Sequence, residues 1–153
     1  MLGQMVLKVL ARSPRLRVEG THRSGPADRL SFDVRDGIGR LRTIQAREGG
    51  YAYAVNCVGV TTASIRKGDA ASIQEAIRVN SLFPHDLASL AGEYGTRFIH
   101  ISTDGVFSGS QDTSAEDAPH DCVDVYGKTK SLGEVPSPEV LTVRCSIVGP
   151  DPA

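Results

Sequence analysis

The chain has 153 residues, 40% of them apolar and 23% charged, with a formal net charge of −1. That size suits one domain with its own core, and the balanced charge excludes the basic footprint of a nucleic-acid binder. No run approaches the roughly eighteen apolar residues of a membrane span.

Leu2, Met5, Val6, Val9 and Leu10 recur at helical spacing, so residues 2–12 read as an amphipathic helix ended by Ser13-Pro14. Lys8 interrupts this apolar opening and no small-residue cleavage site follows, which argues against a signal peptide. Residues 16–21 read as a short strand with His22-Arg23 just past its end, and residues 29–34 as another that closes on Asp33. A weak helix spans 36–48, and an apolar strand spans 51–58 and stops at Gly59. A long helix covers 70–93, a buried strand 97–102, and a loop rich in Gly, Ser, Asp and Pro 103–123. A helix at 124–134 and a strand at 139–146 close the pattern. This alternation argues an α/β domain, a doubly wound parallel sheet with helices on both faces. Cys57, Cys122 and Cys145 are odd in number and lack any Cys-x-x-Cys, which reads as free thiols in a reducing cytoplasm and no zinc site.

The chemistry concentrates at Tyr126 and Lys130. Four residues apart on a helix, they share one face. A fixed positive charge favours a phenolate, and such a Tyr can exchange a proton with a substrate oxygen. An isolated Tyr-x-x-x-Lys is a weak signal, because chance pairs on solvated helix faces are common. Its context strengthens it: Phe98–Ser102 reads as a strand, and Thr103 stands at its carboxyl end, where ligands bind in open α/β sheets. Gly127-Lys128-Thr129 imitates the end of a phosphate-binding loop, but the Gly required five residues before Gly127 is Cys122.

Asn80 falls on the buried stripe of the long helix marked by Ile73, Ala76, Ile77, Leu87 and Leu90. Pro84 has no N–H, so the Asn80 carbonyl loses its helical partner. Two readings stand side by side: a kink around a satisfied core Asn, or a free carbonyl that holds a water. His100 reads as a packed core residue, and His85 and His120 carry no signal.

Three runs support a family resemblance: Ile101-Ser-Thr-Asp-Gly-Val-Phe-Ser-Gly109, Tyr126-Gly-Lys-Thr-Lys-Ser-Leu-Gly-Glu134 and Val143-Arg-Cys-Ser-Ile-Val-Gly149. In this order they resemble the extended short-chain dehydrogenase/reductases, above all the dTDP-4-dehydrorhamnose reductase branch, which acts on nucleotide sugars. The resemblance covers nearly the whole chain and implies a Rossmann-like fold. It implies hydride transfer from a nicotinamide to a sugar keto carbon, with Tyr126 as proton donor. Lys130 then supports the phenolate and bonds the nicotinamide ribose, while Thr103, with Ser102 as understudy, holds the substrate oxygen.

For the cofactor, the resemblance makes Gly3 the last glycine of the dinucleotide fingerprint, with the first strand and the two earlier glycines absent from the chain; the other reading is a plain terminal residue. Arg23 stands where an acid would bind a ribose 2′-hydroxyl and an Arg a 2′-phosphate. That favours NADP over NAD, against the reading of a solvated surface Arg. Asp33 and Val34 would lie beside the adenine, and Cys57, Val58 and Gly59 along the pyrophosphate and ribose. A water on the Asn80 carbonyl would link Lys130 to solvent. Glu116 and Asp117 either line the cleft mouth or form a solvated acidic turn.

No cluster has metal-ligand spacing, although family members can bind Mg²⁺ from surface carboxylates. The expected partner is a nucleotide sugar, with no nucleic acid or membrane, and a homodimer is allowed. Thr103-Asp104-Gly105, rather than Thr-Asp-Glu, favours a reductase or epimerase over a dehydratase. A non-catalytic regulatory subunit is the remaining alternative. All 153 residues are expected to form one partial dinucleotide-binding domain without the substrate-binding region, and alone to bind NADP weakly and turn over nothing.

Overall fold

The computed structural model describes residues 2–23, 30–47, 49–110 and 114–146. Arg29 and Glu48 of two expected elements, residues 111–113 of the expected loop, and residues 147–153, with the end of the third family motif, lie outside these.

The sheet is built on β2, Arg97–Ser102, which alternates so that Phe98, His100 and Ser102 are buried. β2 pairs in parallel with β1, Tyr53–Asn56, in the register Tyr53↔Arg97 to Asn56↔His100. On its other side it pairs in parallel with β3, Val140–Arg144, from Phe98↔Val140 to Ser102↔Arg144. The order is β1-β2-β3.

Helix α1, Leu2–Leu10, packs its Leu7 against Gly20. Helix α2, Ile38–Arg47, brings Ile44 to the core. One long helical rod follows β1. It begins as α3, Ala70–Ala76, capped by the Asp69 carboxylate on the Ala71 amide. It passes through a π-helical turn, Ile77–Leu82, and continues as α4, Phe83–Tyr94, to Gly95 in the left-handed region at φ 66°. The expected kink is therefore a π turn. Pro84 offers no N–H, and the Phe83 amide reaches back five residues to the Arg78 carbonyl, so the rod stays continuous with one widened turn. Phe83, Leu87, Leu90 and Ala91 of α4 pack on Phe98, together with Phe32 and Ile44. The rings of Phe32 and Phe83 stack with centroids 5.6 Å apart.

The strands expected at 16–21 and 29–34 do not form among the described residues. A single parallel bridge, His22↔Ser31, is all that remains of them. The reason is physical: a strand takes its hydrogen bonds from neighbours, and these two segments meet each other at one point while β1 stays at the sheet edge. No described helix is long and apolar enough to cross a membrane.

Helix α5, Val125–Leu132, starts at the Asp124 cap, whose carboxylate accepts from the Gly127 amide at 2.9 Å. Two glycines seat it. A Cβ on Gly127 would stand 2.5 Å from the Gly105 carbonyl oxygen, and one on Gly133 only 1.9 Å from the Asn80 carbonyl oxygen. Gly133→Ala must push α5 off the π turn and should cost about 3 kcal/mol or more, the upper range of overpacking. Gly92→Ala, on the exposed side of α4 with nothing within 4 Å, should instead stabilise by about 0.5–1 kcal/mol. Urea unfolding of both variants checks the contrast, and equal effects would refute the seating role of Gly133.

Candidate active site

Thr103 follows β2 directly and caps the short 3₁₀ turn Asp104–Val106, its Oγ1 accepting from the Gly105 amide at 3.1 Å. The same hydroxyl donates to Asp104 Oδ1 at 3.2 Å. Tyr126 lies in the first turn of α5, and the contact of Gly127 with the Gly105 carbonyl presses that turn onto the loop. A Cβ on Gly105 would be 3.4 Å from Thr103 Oγ1 and 3.8 Å from Tyr126 Cε1. The hydroxyl and the phenol ring thus border the same glycine, and both residues are half-buried.

One turn further along α5, Lys130 is 4% exposed. Its Nζ donates to the Ile101 carbonyl at 2.7 Å. Burial pushes its pKa below the ordinary lysine value, while the Glu134 carboxylate works in the opposite direction. Ser102 is placed differently from Thr103. It is buried, and its Oγ donates to Glu134 Oε1 at 2.6 Å. Adjacent strand residues point to opposite sides, so one of the pair faces the Glu134 network and only Thr103 stands at the turn.

Glu134 also receives Arg144 in a fork, Nε at 3.0 Å to each oxygen and Nη2 at 2.7 Å to Oε2. Burial opposes its charge, but the hydrogen bonds from Arg144 and Ser102 prevail and hold its pKa below the ordinary value. Arg144 reaches on to the Glu116 carbonyl at 2.7 Å and to His120 Nε2 at 2.9 Å, and lies 5.3 Å from the centre of the Phe107 ring. Since Nε2 accepts from a guanidinium, the His120 proton sits on Nδ1, which donates to Ser131 Oγ at 2.7 Å. His120 is thus a fixed link between loop and helix, not a bystander. The sequence missed this network: Glu134, Arg144 and His120 are far apart in the chain, and the only local signal is Glu134 four residues after Lys130. Glu116 contributes its backbone, and its side chain and that of Asp117 are exposed.

Asn80 is fully buried and fully used. Its Oδ1 accepts from the Val60 amide at 2.8 Å, and its Nδ2 donates to the Val60 carbonyl at 2.9 Å and to Thr129 Oγ1 at 3.2 Å. The side chain therefore ties the end of β1 to the π turn and to α5, as a satisfied core Asn. Its carbonyl faces Gly133.

The other cofactor candidates are spread more widely. Gly3, in the first turn of α1, has its Cα side against Cys57, 3.5 Å from a Cβ placed on it to Cys57 Cβ. Val58 is exposed and donates its amide to Asn56 Oδ1, and Gly59 borders Asn80 Oδ1. Gly3, Cys57, Val58, Gly59 and Asn80 are thereby contiguous with α5. Burial raises the Cys57 thiol pKa, so this residue presents a neutral wall. Arg23 is exposed in the bend after the His22 bridge. Asp33 caps the 3₁₀ turn Val34–Asp36 by accepting from the Arg35 amide at 2.9 Å, and Val34 packs on the core. Among the described residues no contact joins Arg23 or Asp33 to Tyr126 and Lys130.

The parallel sheet with flanking helices is a Rossmann-like α/β fold, shared with solved reductase structures. The chain belongs to the RmlD substrate binding domain family, which matches residues 44–148. A dTDP-4-dehydrorhamnose reductase from Mycobacterium tuberculosis is 34% identical over 129 residues, 76% of this chain and 39% of that protein. A hypothetical dTDP-4-dehydrorhamnose reductase from Sulfolobus tokodaii superposes with a TM-score of 0.76 at 21% identity, over 94% of this chain and 51% of that one. A dTDP-4-dehydrorhamnose reductase from Bacillus anthracis, solved in complex with NADP, superposes with a TM-score of 0.59 at 21% identity, over 72% of this chain and 38% of that one. The chain spans half or less of the length of the curated relatives it matches, 50%, 27% and 39%.

His100 gives the site a pH limit. Asn56 Oδ1 is taken by the Val58 amide, so Asn56 Nδ2 donates to His100 Nδ1 at 3.1 Å, and the imidazole proton is on Nε2. Burial, with the Lys130 charge in addition, pushes the His100 pKa from 6.5 to about 4. The unfolded chain then binds the proton first. This stability is whole above pH 6.5 and is lost as pH falls from there through about 4. The loss should approach ~3 kcal/mol. Urea unfolding across that range should show it, and His100→Gln should flatten the slope.

Proposed function

We propose that this chain is the nucleotide-binding part of an NADP-preferring reductase acting on the ketone of a nucleotide sugar. The observation that carries the reading is the Gly105 corner, where the Thr103 hydroxyl and the Tyr126 ring border one glycine while Lys130 is buried one helical turn on. The relatives named as dTDP-4-dehydrorhamnose reductases support the substrate class.

The residues present fit a dinucleotide. Gly3 in the first turn of α1 faces Cys57, and Gly59, in the segment after β1, borders the Asn80 side chain. Gly3, Cys57, Val58 and Gly59 would line the pyrophosphate and adjoining ribose, Asp33 and Val34 the adenine, and Arg23 a 2′-phosphate. Bound NADPH supplies the hydride. The chain's own task is to hold the sugar oxygen and protonate it. Thr103 Oγ1 holds the oxygen and Tyr126 gives the proton. Lys130 spends one of its three Nζ donors on Ile101 and keeps two for a ribose and the proton path.

In the full-length protein, Tyr126→Phe should leave NADP binding nearly intact and lower turnover about 10²–10⁴-fold, the usual worth of a general acid. Turnover within a few-fold of wild type would remove Tyr126 from the mechanism.

Arg23→Ala should weaken NADP more than NAD, because only NADP offers a phosphate for a charge-assisted bond worth ~1.5–3 kcal/mol. Calorimetric dissociation constants for both cofactors decide this, and equal losses would mean that Arg23 does not read the 2′-phosphate.

A further inference from the structure

A lysine buried to 4% exposure needs a reason to stay charged. A carbonyl bond alone is a poor substitute for water around an ammonium. Along the sequence the nearest carboxylate is that of Glu134, four residues on. Glu134 Oε1 accepts from Ser102 Oγ, while Lys130 Nζ donates to the carbonyl of Ile101, so the two side chains grip adjacent residues of β2. The carboxylate is in turn forked by Arg144 from β3, and Arg144 is fixed by the Glu116 carbonyl and by His120.

We propose that Glu134 is a positioning residue for Lys130: its carboxylate is the counter-charge of the buried ammonium, and Arg144 sets how much of that charge Lys130 receives. Among the described residues Glu134 is the larger of two groups that favour the ammonium, the other being Cys145. From β2, Lys130 is faced by His100, a neutral imidazole held down by burial, and from beyond β3 by the thiol of Cys145. The π turn presents the uncharged Asn80 and Ser81, both bonded to Thr129. Among the described residues Arg144 is the competing cation on the carboxylate; His120 Nε2 stands 3.6 Å from Oε2 but accepts from Arg144. The opposing effects of burial and of Glu134 on Lys130 agree with this arrangement. Glu134 touches neither Thr103 nor Tyr126 in the structure, so it acts through Lys130, and its bearing on turnover rests on the reductase reading above.

The test separates charge from scaffolding. In the full-length protein carrying ¹³Cε-lysine, with Lys130 assigned by loss of its signal in Lys130→Arg, NMR follows the Lys130 titration in two variants. Glu134→Gln keeps an acceptor for Ser102 and removes the charge; its Lys130 midpoint should fall by about one pH unit or more. Arg144→Gln removes the competitor, and the midpoint should rise. A network with only a structural role would move both variants the same way or neither, and either result overturns the proposal. Should Glu134→Gln lose its fold by circular dichroism, Arg144→Gln and Glu134→Asp decide. A rise in the first with a near wild-type midpoint in the second supports the pairing, and any other result refutes it. Reduction of a nucleotide-sugar ketone by the wild type is assayed alongside. No reduction with the stated shifts defeats the reductase reading and leaves the pairing standing. Reduction with unmoved midpoints defeats the pairing alone.

Discussion

The rest of the structure depends on one contact, the hydrogen bond from Lys130 Nζ to the Ile101 carbonyl. It draws a charged side chain into the interior, where desolvation works against the ammonium. The contact forms only if α5 lies hard against the carboxyl end of β2. Side chains at the two closest points would forbid that approach, and both points are glycines, Gly127 against Gly105 and Gly133 against Asn80. The position of Tyr126 beside Thr103 follows from the same approach. Helix seating, the buried charge and the hydroxyl–phenol corner are therefore one constraint.

A second tie runs through Asn80. A continuous α-helix would leave the Asn80 carbonyl without its donor, because Pro84 has no N–H. The widened turn places Asn80 where its amide can satisfy both backbone groups of Val60 and reach Thr129. Ser81 adds a bond to the Thr129 carbonyl at 2.8 Å. Two buried polar residues of the rod, Asn80 and Ser81, thus link the segment after β1 to α5.

Legibility in the sequence followed the range of the interactions. β2 was readable to the residue because its alternation is local, and the helices were readable from their spacing, with ends off by at most two residues. Residues 16–21 and 29–34 had strand-like composition, but composition does not supply a neighbour, and only the His22↔Ser31 bridge formed. Tyr126 and Lys130 stood out because four residues make one helical turn. The sequence put Thr103 first and kept Ser102 as understudy. Which one faces the turn is decided by Glu134, and that carboxylate is oriented by Arg144, ten residues further on and on another element. His120 left no trace in the sequence for the same reason, since both of its partners are tertiary.

Burial around the site divides along chemical lines. Thr103 and Tyr126, which border Gly105, are half-buried, whereas Ser102, Asn80, Thr129 and Lys130 behind them are buried. A buried polar group without a partner costs about 1–3 kcal/mol; these four are paired, whereas the buried His100 Nε2 has no hydrogen-bond partner. The described backbone carries no strain that could do the same work: no non-glycine residue has positive φ, and there is no cis peptide. The corner at Gly105 is therefore held by paired polar groups rather than by a distorted chain. Any substitution that unpairs one of them should be felt at Thr103 and Tyr126 before it is felt in the apolar core around Phe98, which packs against α4 at the other end of β2.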